Sequence, residues 1–145
     1  MRIMGRNSKG CNTSKSRDDM KIIDSKLKIH KRIIPKKWGK EVIIHNDDEY
    51  CGKLLILDAG AQFSMHFHMK KKETWYVQEG TLLLTYIDTK DATEHETELN
   101  VGDIVEIDRG DPHQLYAITD SLIFEPSTPH FDDDSYRIRK GDSQK

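Results

Sequence analysis

Short apolar runs recur along most of this chain at intervals of roughly 8 to 12 residues, and this spacing constrains the fold more than any other feature. Turn residues such as Asn46-Asp47-Asp48 and Glu79-Gly80 separate nearly all of the runs. No long segment shows the apolar period of a helix. The pattern predicts an all-β sandwich or barrel with strands at Lys31–Ile34, Glu41–His45, Lys53–Asp58, Gln62–His68, Thr74–Gln78, Thr81–Ile87, Thr93–Leu99, Asp103–Ile107, His113–Ala117 and Ser121–Glu125.

The length of 145 residues fits one compact domain. Residues 1–20 are rich in Ser, Asn, Lys and Arg and lack a periodic apolar face, so we predict a flexible basic extension there. Residues 21–145 are then a single domain, with a barrel core at about 31–126. The polar, acid-rich tail over residues 127–145 is expected to pack along the outside or to fray.

The charge is distributed unevenly along the chain. Residues 1–40 contain 13 Lys or Arg and 3 Asp, whereas residues 41–145 contain 10 basic and 22 acidic residues. An acidic body repels phosphate backbones, so we do not expect nucleic-acid binding unless the basic extension alone provides it. No apolar run approaches the roughly 20 residues that cross a bilayer, and the N-terminus lacks a secretory signal. Cys11 and Cys51 lack the spacing of a redox or zinc motif, so we expect a cytoplasmic protein.

The residues that carry chemistry are concentrated on one predicted strand and the start of the next. Alternate side chains of a strand share a face, so His66 and His68 point the same way, together with Gln62 and Ser64. Imidazoles that face an interior leave unsatisfied lone pairs unless they find a partner, and a bound cation is one such partner. Glu73 begins the following strand close enough to give a carboxylate oxygen to the same ion. The pattern predicts three metal ligands within eight residues.

A fourth ligand is predicted at His113, which follows a Gly-Asp-Pro turn at the start of a later strand. Three neutral imidazoles and one carboxylate suit Mn, Fe, Co, Ni, Cu or Zn, and the affinity order does not select among them. Four protein ligands around an ion that prefers five or six leave positions for water or substrate oxygens. The alternative is a metal-free site in which the histidines form hydrogen bonds or act directly as acids and bases.

The spacing from Gly60 to Gly80 resembles the first cupin motif, G-x5-HxH-x4-E-x6-G, at every fixed position. The second cupin motif, G-x5-PxG-x2-H-x3-N, is matched at Gly102, Gly110 and His113, and it departs at Asp108 and Ala117, where Pro and Asn are usual. The resemblance implies a double-stranded β-helix, the jelly-roll barrel of the cupins. It also implies one divalent or Fe-type metal held by His66, His68, Glu73 and His113.

A second, narrower resemblance begins at Pro35 and includes the pair Trp38-Gly39. It is similar to the start of the mannose-6-phosphate isomerase-like, sugar-nucleotide-associated branch of small cupins. The other interpretation is structural: Trp38 packs an N-terminal strand on the barrel and Gly39 relieves a turn. The resemblance implies an aldose-ketose isomerase that acts on a sugar or sugar phosphate through a metal-stabilised enediolate.

That activity needs a base and groups that bind the substrate. The sequence does not identify the base, and Glu106 on a motif strand is a candidate that also fits a surface carboxylate. Phosphate would require cations near the mouth, for which Lys53 and Arg109 are candidates, together with Lys40 and Arg137. Trp75 shares the parity of Glu73, so we expect it to line a partly apolar pocket with Gln62 and Ser64 contributing polar atoms.

The sequence is also compatible with two other functions, and it predicts a dimer. The same ligand set fits an Fe-, Ni- or Cu-dependent dioxygenase, and it also fits a module that binds a metal or sugar without turnover. The apolar strands around Ile33-Ile34 and Val42-Ile43-Ile44 could pair across a two-fold axis, since exposed strand edges need cover. We therefore expect a homodimer that binds a small molecule.

Overall fold

The chain folds into two antiparallel β-sheets, which a computed structural model describes over residues 3–8, 17–23 and 27–145. The short 3-10 helix Asp142–Gln144 is the helical element of this described part. The predicted all-β class is confirmed. The strands are β1 (Ile3–Ser8), β2 (Arg17–Ile23), β3 (Leu27–Lys36), β4 (Gly39–Asn46), β5 (Cys51–Leu57), β6 (Met65–Phe67), β7 (Glu73–Glu79), β8 (Leu82–Asp88), β9 (Thr93–Leu99), β10 (Ile104–Ile107), β11 (His113–Ala117), β12 (Ser121–Ser127) and β13 (Tyr136–Arg139).

The strand order shows a jelly roll. One sheet has the order β1-β2-β3-β4-β5-β12-β7-β10, and the other has the order β13-β6-β11-β8-β9. From β5 to β8 successive strands alternate between the two sheets, and they do so again from β10 to β13. This alternation is the double-stranded β-helix that the first resemblance implied.

The core lies between the two sheets, and it follows from the two-residue period of the strands. In β7, for example, Trp75 and Val77 are fully buried while Tyr76 between them is exposed. The inward residues of both sheets form one cluster, to which Trp38, Leu55, Leu57, Ala61, Phe63, Trp75, Val77, Leu82, Leu84, Leu99, Ile107, Leu115, Ala117 and Ile123 belong.

The turn between β3 and β4 carries the Trp-Gly pair of the second resemblance. Trp38 is 5% exposed and meets Phe63 edge-on, with ring centroids 5.9 Å apart. Gly39 has φ +145°, and a Cβ there would lie 1.9 Å from the backbone oxygen of Ile56. Only glycine fits this crossing of two strands. The packing role considered for Trp38-Gly39 therefore matches the contacts that the pair makes.

Both ends of the chain form more regular structure than the sequence suggested. β1 lies within the predicted flexible extension and pairs with β2, which begins in the extension and in turn pairs with β3. The other positions of residues 1–20 lie outside the described residues, and the division into an extension and a domain stays a prediction. At the other end, β13 pairs with β6 and joins the second sheet, so the tail supplies a strand that the polar sequence did not predict.

The strands invoked for dimerisation already have neighbours within the chain. β3 pairs with β2 on one edge and with β4 on the other, and β4 pairs with β3 and β5. Their backbone groups are used inside the sheet, so their edges are not available to a second copy. The homodimer stays a prediction, without support from these two edges.

Candidate metal centre

Two neighbouring strands of the second sheet and one strand of the first bring the four predicted ligands together. His66 lies on β6, directly opposite His113 at the start of β11. His68 follows β6 by one residue, and Glu73 is the first residue of β7. One potential ligand atom from each histidine lies within 4.8 Å of the other two. These three histidines form a cluster that could hold a metal ion.

The carboxylate of Glu73 faces the same cluster. Its Oε1 lies 3.3 Å from Nε2 of His113, and its Oε2 lies 3.7 Å from Nε2 of His68. Glu73 is 4% exposed, His68 6% and His113 2%, so this contact is made between buried side chains. All four side chains that the sequence proposed as ligands therefore converge on one region of the barrel.

Each imidazole is oriented by a backbone carbonyl. The Nδ1 atoms of His66, His68 and His113 lie 2.8 Å from the carbonyl oxygens of Ser64, Asp134 and Asp111, in that order. A carbonyl accepts only, so each Nδ1 carries the hydrogen and each Nε2 keeps its lone pair. This arrangement is the one that metal-ligating histidines usually have.

The protonation state of the buried imidazoles favours a bound cation. Nε2 of His113 is buried without a hydrogen-bond donor among the described residues, and it faces Oε1 of Glu73 at 3.3 Å. Burial, followed by Lys71, lowers the pKa of His68 to about 4, and burial with the other two imidazoles holds the pKa of His66 well below its usual range. Both rings are therefore neutral near pH 7. Neutral imidazoles and buried lone pairs are what a divalent transition metal requires.

A buried ammonium stands next to the ligand carboxylate. Lys71 is 4% exposed, and its Nζ lies 2.9 Å from Oε2 of Glu73 and 3.3 Å from Oε2 of Glu125. Burial opposes ionisation of Glu73, but the adjacent Lys71 ammonium holds the pKa of this carboxyl well below its usual range. The Nε1 of Trp75 donates to the other oxygen of Glu125 at 3.3 Å. A chain of buried charges thus extends from the cluster to β12.

Neither Lys71 nor Glu125 is among the residues that the sequence pattern singled out. Both side chains are buried, and for Glu125 strand parity was the available signal. Glu125 continues the inward series of Ser121 and Ile123 on β12, whereas Lys71 lies in the connection before β7, where no alternation marks it. An inward charged residue on an apolar strand indicates a buried ion pair or a site.

A cavity of about 640 Å³ opens over the cluster. Of the residues proposed to bind substrate, Lys53, Ser64 and Trp75 line it, and Arg137 does so as well. Its other walls include Trp38, Glu41, Ile43, Leu55, Phe63, Lys71, Glu125 and His130. A volume of this size accommodates a small organic molecule.

Four other candidates lie away from that cavity, and one of them, Lys40, is exposed on β4. Glu106 is exposed on β10, as a surface carboxylate would be. Arg109 is exposed and its Nε donates to the carbonyl of Lys70 at 2.8 Å. Gln62 does not line the cavity; it lies before β6, in an isolated bridge with Tyr116 of β11. The candidates that line the cavity are thus those on regular strands or next to the ligands.

Comparison with known proteins identifies the fold. Residues 53–124 match the family model of the cupin domain. A stretch of 74 residues is 34% identical to mannose-1-phosphate guanylyltransferase of Salmonella muenchen, covering 46% of this chain and 16% of that protein. The chain therefore spans a small part of that relative.

Solved structures show the same architecture. The capsular polysaccharide assembling protein CapF of Staphylococcus aureus matches with a TM-score of 0.69 at 17% identity, over 81% of this chain and 34% of CapF. Oxalate decarboxylase of Bacillus subtilis matches with a TM-score of 0.62 at 18% identity, over 71% of this chain and 28% of the decarboxylase. KdgF of Halomonas sp. matches with a TM-score of 0.56 at 21% identity, over 65% of this chain and 81% of KdgF. At these identities the likeness establishes the fold alone.

Strands account for nearly all of the regular structure of the described residues. No helix within this part of the chain is long and apolar enough to span a bilayer.

Proposed function

The chain belongs to the cupin superfamily, and we propose that it is a metal-dependent cupin that acts on a sugar or sugar phosphate as an aldose-ketose isomerase. The observation that carries the proposal is the cluster of His66, His68 and His113, with Glu73 beside it, at a cavity lined by buried charged residues. The names of two similar proteins, mannose-1-phosphate guanylyltransferase and capsular polysaccharide assembling protein, support a sugar substrate.

The proposed ligands are His66, His68, His113 and Glu73. The metal, one of Mn, Fe, Co, Ni, Cu or Zn, would supply Lewis-acid polarisation of the carbonyl and hydroxyl oxygens of an open-chain sugar. The carbonyls of Ser64, Asp134 and Asp111 hold the three imidazoles in the tautomer that binding needs. No rearrangement of these rings is required before an ion binds.

Isomerisation moves a proton between adjacent carbons, and Glu125 is suited to carry it. Its carboxylate lines the cavity, whereas Glu106 lies outside. Burial and the nearby Glu73 raise the pKa of Glu125, which brings this carboxyl closer to the pH at which a general base works best. The bonds from Lys71 and Trp75 fix the orientation of the two carboxylate oxygens. In this proposal Glu125 accepts the proton from one carbon and returns it to the next.

The remaining walls provide donors for hydroxyl and phosphate oxygens. Nζ of Lys53 is buried in the wall, 3.4 Å from Oε2 of Glu41, and presents N–H groups to the cavity. Arg137 lies opposite His66 across the β13–β6 pair and also lines the cavity. A guanidinium at this position suits a phosphate, since it forms two parallel hydrogen bonds with such a group.

The test combines metal analysis with proton exchange at carbon. Wild-type protein, His68→Ala and Glu125→Gln are incubated with mannose 6-phosphate or fructose 6-phosphate and each metal in D2O, and NMR follows both isomerisation and deuterium incorporation. We expect His68→Ala to lose metal and activity. Glu125→Gln should keep about one equivalent of metal and lose turnover by about 10²–10⁴-fold.

Glu106→Gln is the matched control, because it removes the same charge outside the cavity, and it should retain activity. Absence of turnover above His68→Ala with every metal and related sugar would overturn the isomerase proposal. Metal binding without turnover would then favour the binding module, and oxygen uptake by the Fe(II) form would favour the dioxygenase. If Glu106→Gln rather than Glu125→Gln abolished activity, the assignment of the base would be wrong.

A further inference from the structure

The C-terminal tail contributes a buried carboxylate that the function proposed above does not use. Asp134 is 2% exposed, although Asp132 and Asp133 before it are both exposed. Its side chain points at the backbone of the turn that connects His68 to Glu73. A carboxylate this deeply buried in a polar tail requires an account, because the desolvation of a charge must be offset by specific partners.

Those partners are three successive backbone N–H groups. Oδ1 of Asp134 accepts from Met69 at 2.9 Å and from Lys70 at 3.0 Å, and Oδ2 accepts from Lys70 at 3.1 Å and from Lys71 at 3.0 Å. Consecutive N–H groups that point inward form an anion-binding concavity, and here the anion comes from the same chain. These bonds outweigh burial and lower the pKa of Asp134. The carboxylate therefore stays ionised at neutral pH.

The same residue reaches the metal centre through its backbone. The carbonyl oxygen of Asp134 lies 2.8 Å from Nδ1 of His68. One residue therefore holds the ring of a proposed ligand with its main chain, and holds the turn after that ligand with its side chain. The turn also carries Lys71, whose ammonium contacts Glu73 at 2.9 Å. Asp134 is thus joined to both ends of the segment from His68 to Glu73.

We infer that Asp134 is a positioning residue of the centre: its carboxylate anchors the tail to residues 69–71 and so places its own carbonyl to fix His68 as an Nδ1–H tautomer with Nε2 available to a metal. The part of the inference that concerns the metal rests on the proposed function. The part that concerns the tautomer of His68 does not. The centre is thereby completed by a segment 66 residues away in the chain.

The test uses Asp134→Asn and Asp134→Ala in the full chain, with Asp48→Asn as the control that removes one exposed charge outside the cavity. Competition with a chromophoric chelator gives the Kd for Co²⁺. We expect both Asp134 variants to raise this Kd by about 10–100-fold, as the loss of groups that orient a ligand does. Asp48→Asn should change this Kd by no more than about twofold.

Two measurements on the metal-free protein separate positioning from general stability. Long-range ¹H–¹⁵N spectra report which nitrogen of His68 is protonated, and we expect a single Nδ1–H tautomer in the wild type and a mixture in the Asp134 variants. Hydrogen exchange of the amides of residues 69–71 should accelerate in the same variants. If Asp134→Ala does not fold, Asp134→Asn, which keeps the side-chain shape, supplies both results.

The inference is overturned if an Asp134 variant has a lower Tm but keeps the wild-type Kd and the wild-type His68 tautomer, because Asp134 would then only stabilise the tail. Wild-type protein that binds no Co²⁺ would count against the proposed metal function. In that case the tautomer and the amide exchange still decide whether Asp134 positions His68.

Discussion

Replacement of Lys71 by Met tests whether the charges beside the candidate centre are as strongly coupled as their burial implies. The ammonium lies 2.9 Å from Oε2 of Glu73 and 3.3 Å from Oε2 of Glu125, and all three side chains are at most 5% exposed. The pKa of Lys71 is raised because the attraction of Glu125 and Glu73 exceeds the opposing effect of burial. Met has a similar length but no charge, so it leaves two buried carboxylates facing each other.

Removal of one partner from a buried ion pair costs about 3–5 kcal/mol of folding free energy. Lys71 serves two carboxylates, so we expect the loss in metal-free Lys71→Met to reach this range. At a urea dependence of about 2 kcal/mol per molar, the unfolding midpoint would fall by roughly 2 M. The variant Lys71→Met with Glu125→Gln should recover part of the loss, because only one buried charge then remains without its partner.

Lys70→Met is the matched control, since Lys70 is the preceding residue and is exposed. Its ammonium lies 4.9 Å from the ring centroid of Phe131, a contact worth about 0.5–1 kcal/mol. Urea unfolding at pH 7 with a chelator compares the three variants. A Lys71→Met protein within 1 kcal/mol of Lys70→Met would refute the argument, because it would mean that water screens the pair despite its burial.

Three further outcomes can be measured with the same protein. Burial, together with Lys53 and Lys71, lowers the pKa of His130 to about 4. As the pH falls through 6.5, His130 therefore binds a proton in the unfolded chain but stays neutral in the folded chain. Stability should therefore fall by about 2 kcal/mol for this residue between pH 7 and pH 5, and urea unfolding of His130→Gln should show a correspondingly flatter pH profile. Gly39→Ala should lower the free energy of unfolding by more than about 3 kcal/mol, because the new Cβ would meet the Ile56 carbonyl. Gly60→Ala should lower it by only about 1 kcal/mol in thermal unfolding, because this residue has φ +85° but open space around it. The expected homodimer should give twice the chain mass of 16.8 kDa in light scattering, and a single-chain mass across a wide concentration range would contradict it.

Local periodicity determined much of the fold and part of the centre. The pleat of a strand is set by the backbone itself, so alternation alone was enough to place Trp75 and Val77 in the core and to put His66 and His68 together. The same rule does not extend to Gln62, which precedes β6 and does not line the cavity. Turn residues located most of the remaining strands, since their backbone preferences are also local.

The partners of the centre depended on contacts that no local pattern specifies. Glu125 meets Lys71 across 54 positions of the chain, and Asp134 meets His68 across 66. The tail strand β13 and the burial of Asp134 arise only when β6 is available to pair with it. The sequence by itself therefore determined the all-β class and the four converging side chains, because strand alternation and ligand spacing are short-range properties. Only the tertiary structure decided which buried charges and carbonyls surround them, because that depends on the register between strands distant in sequence.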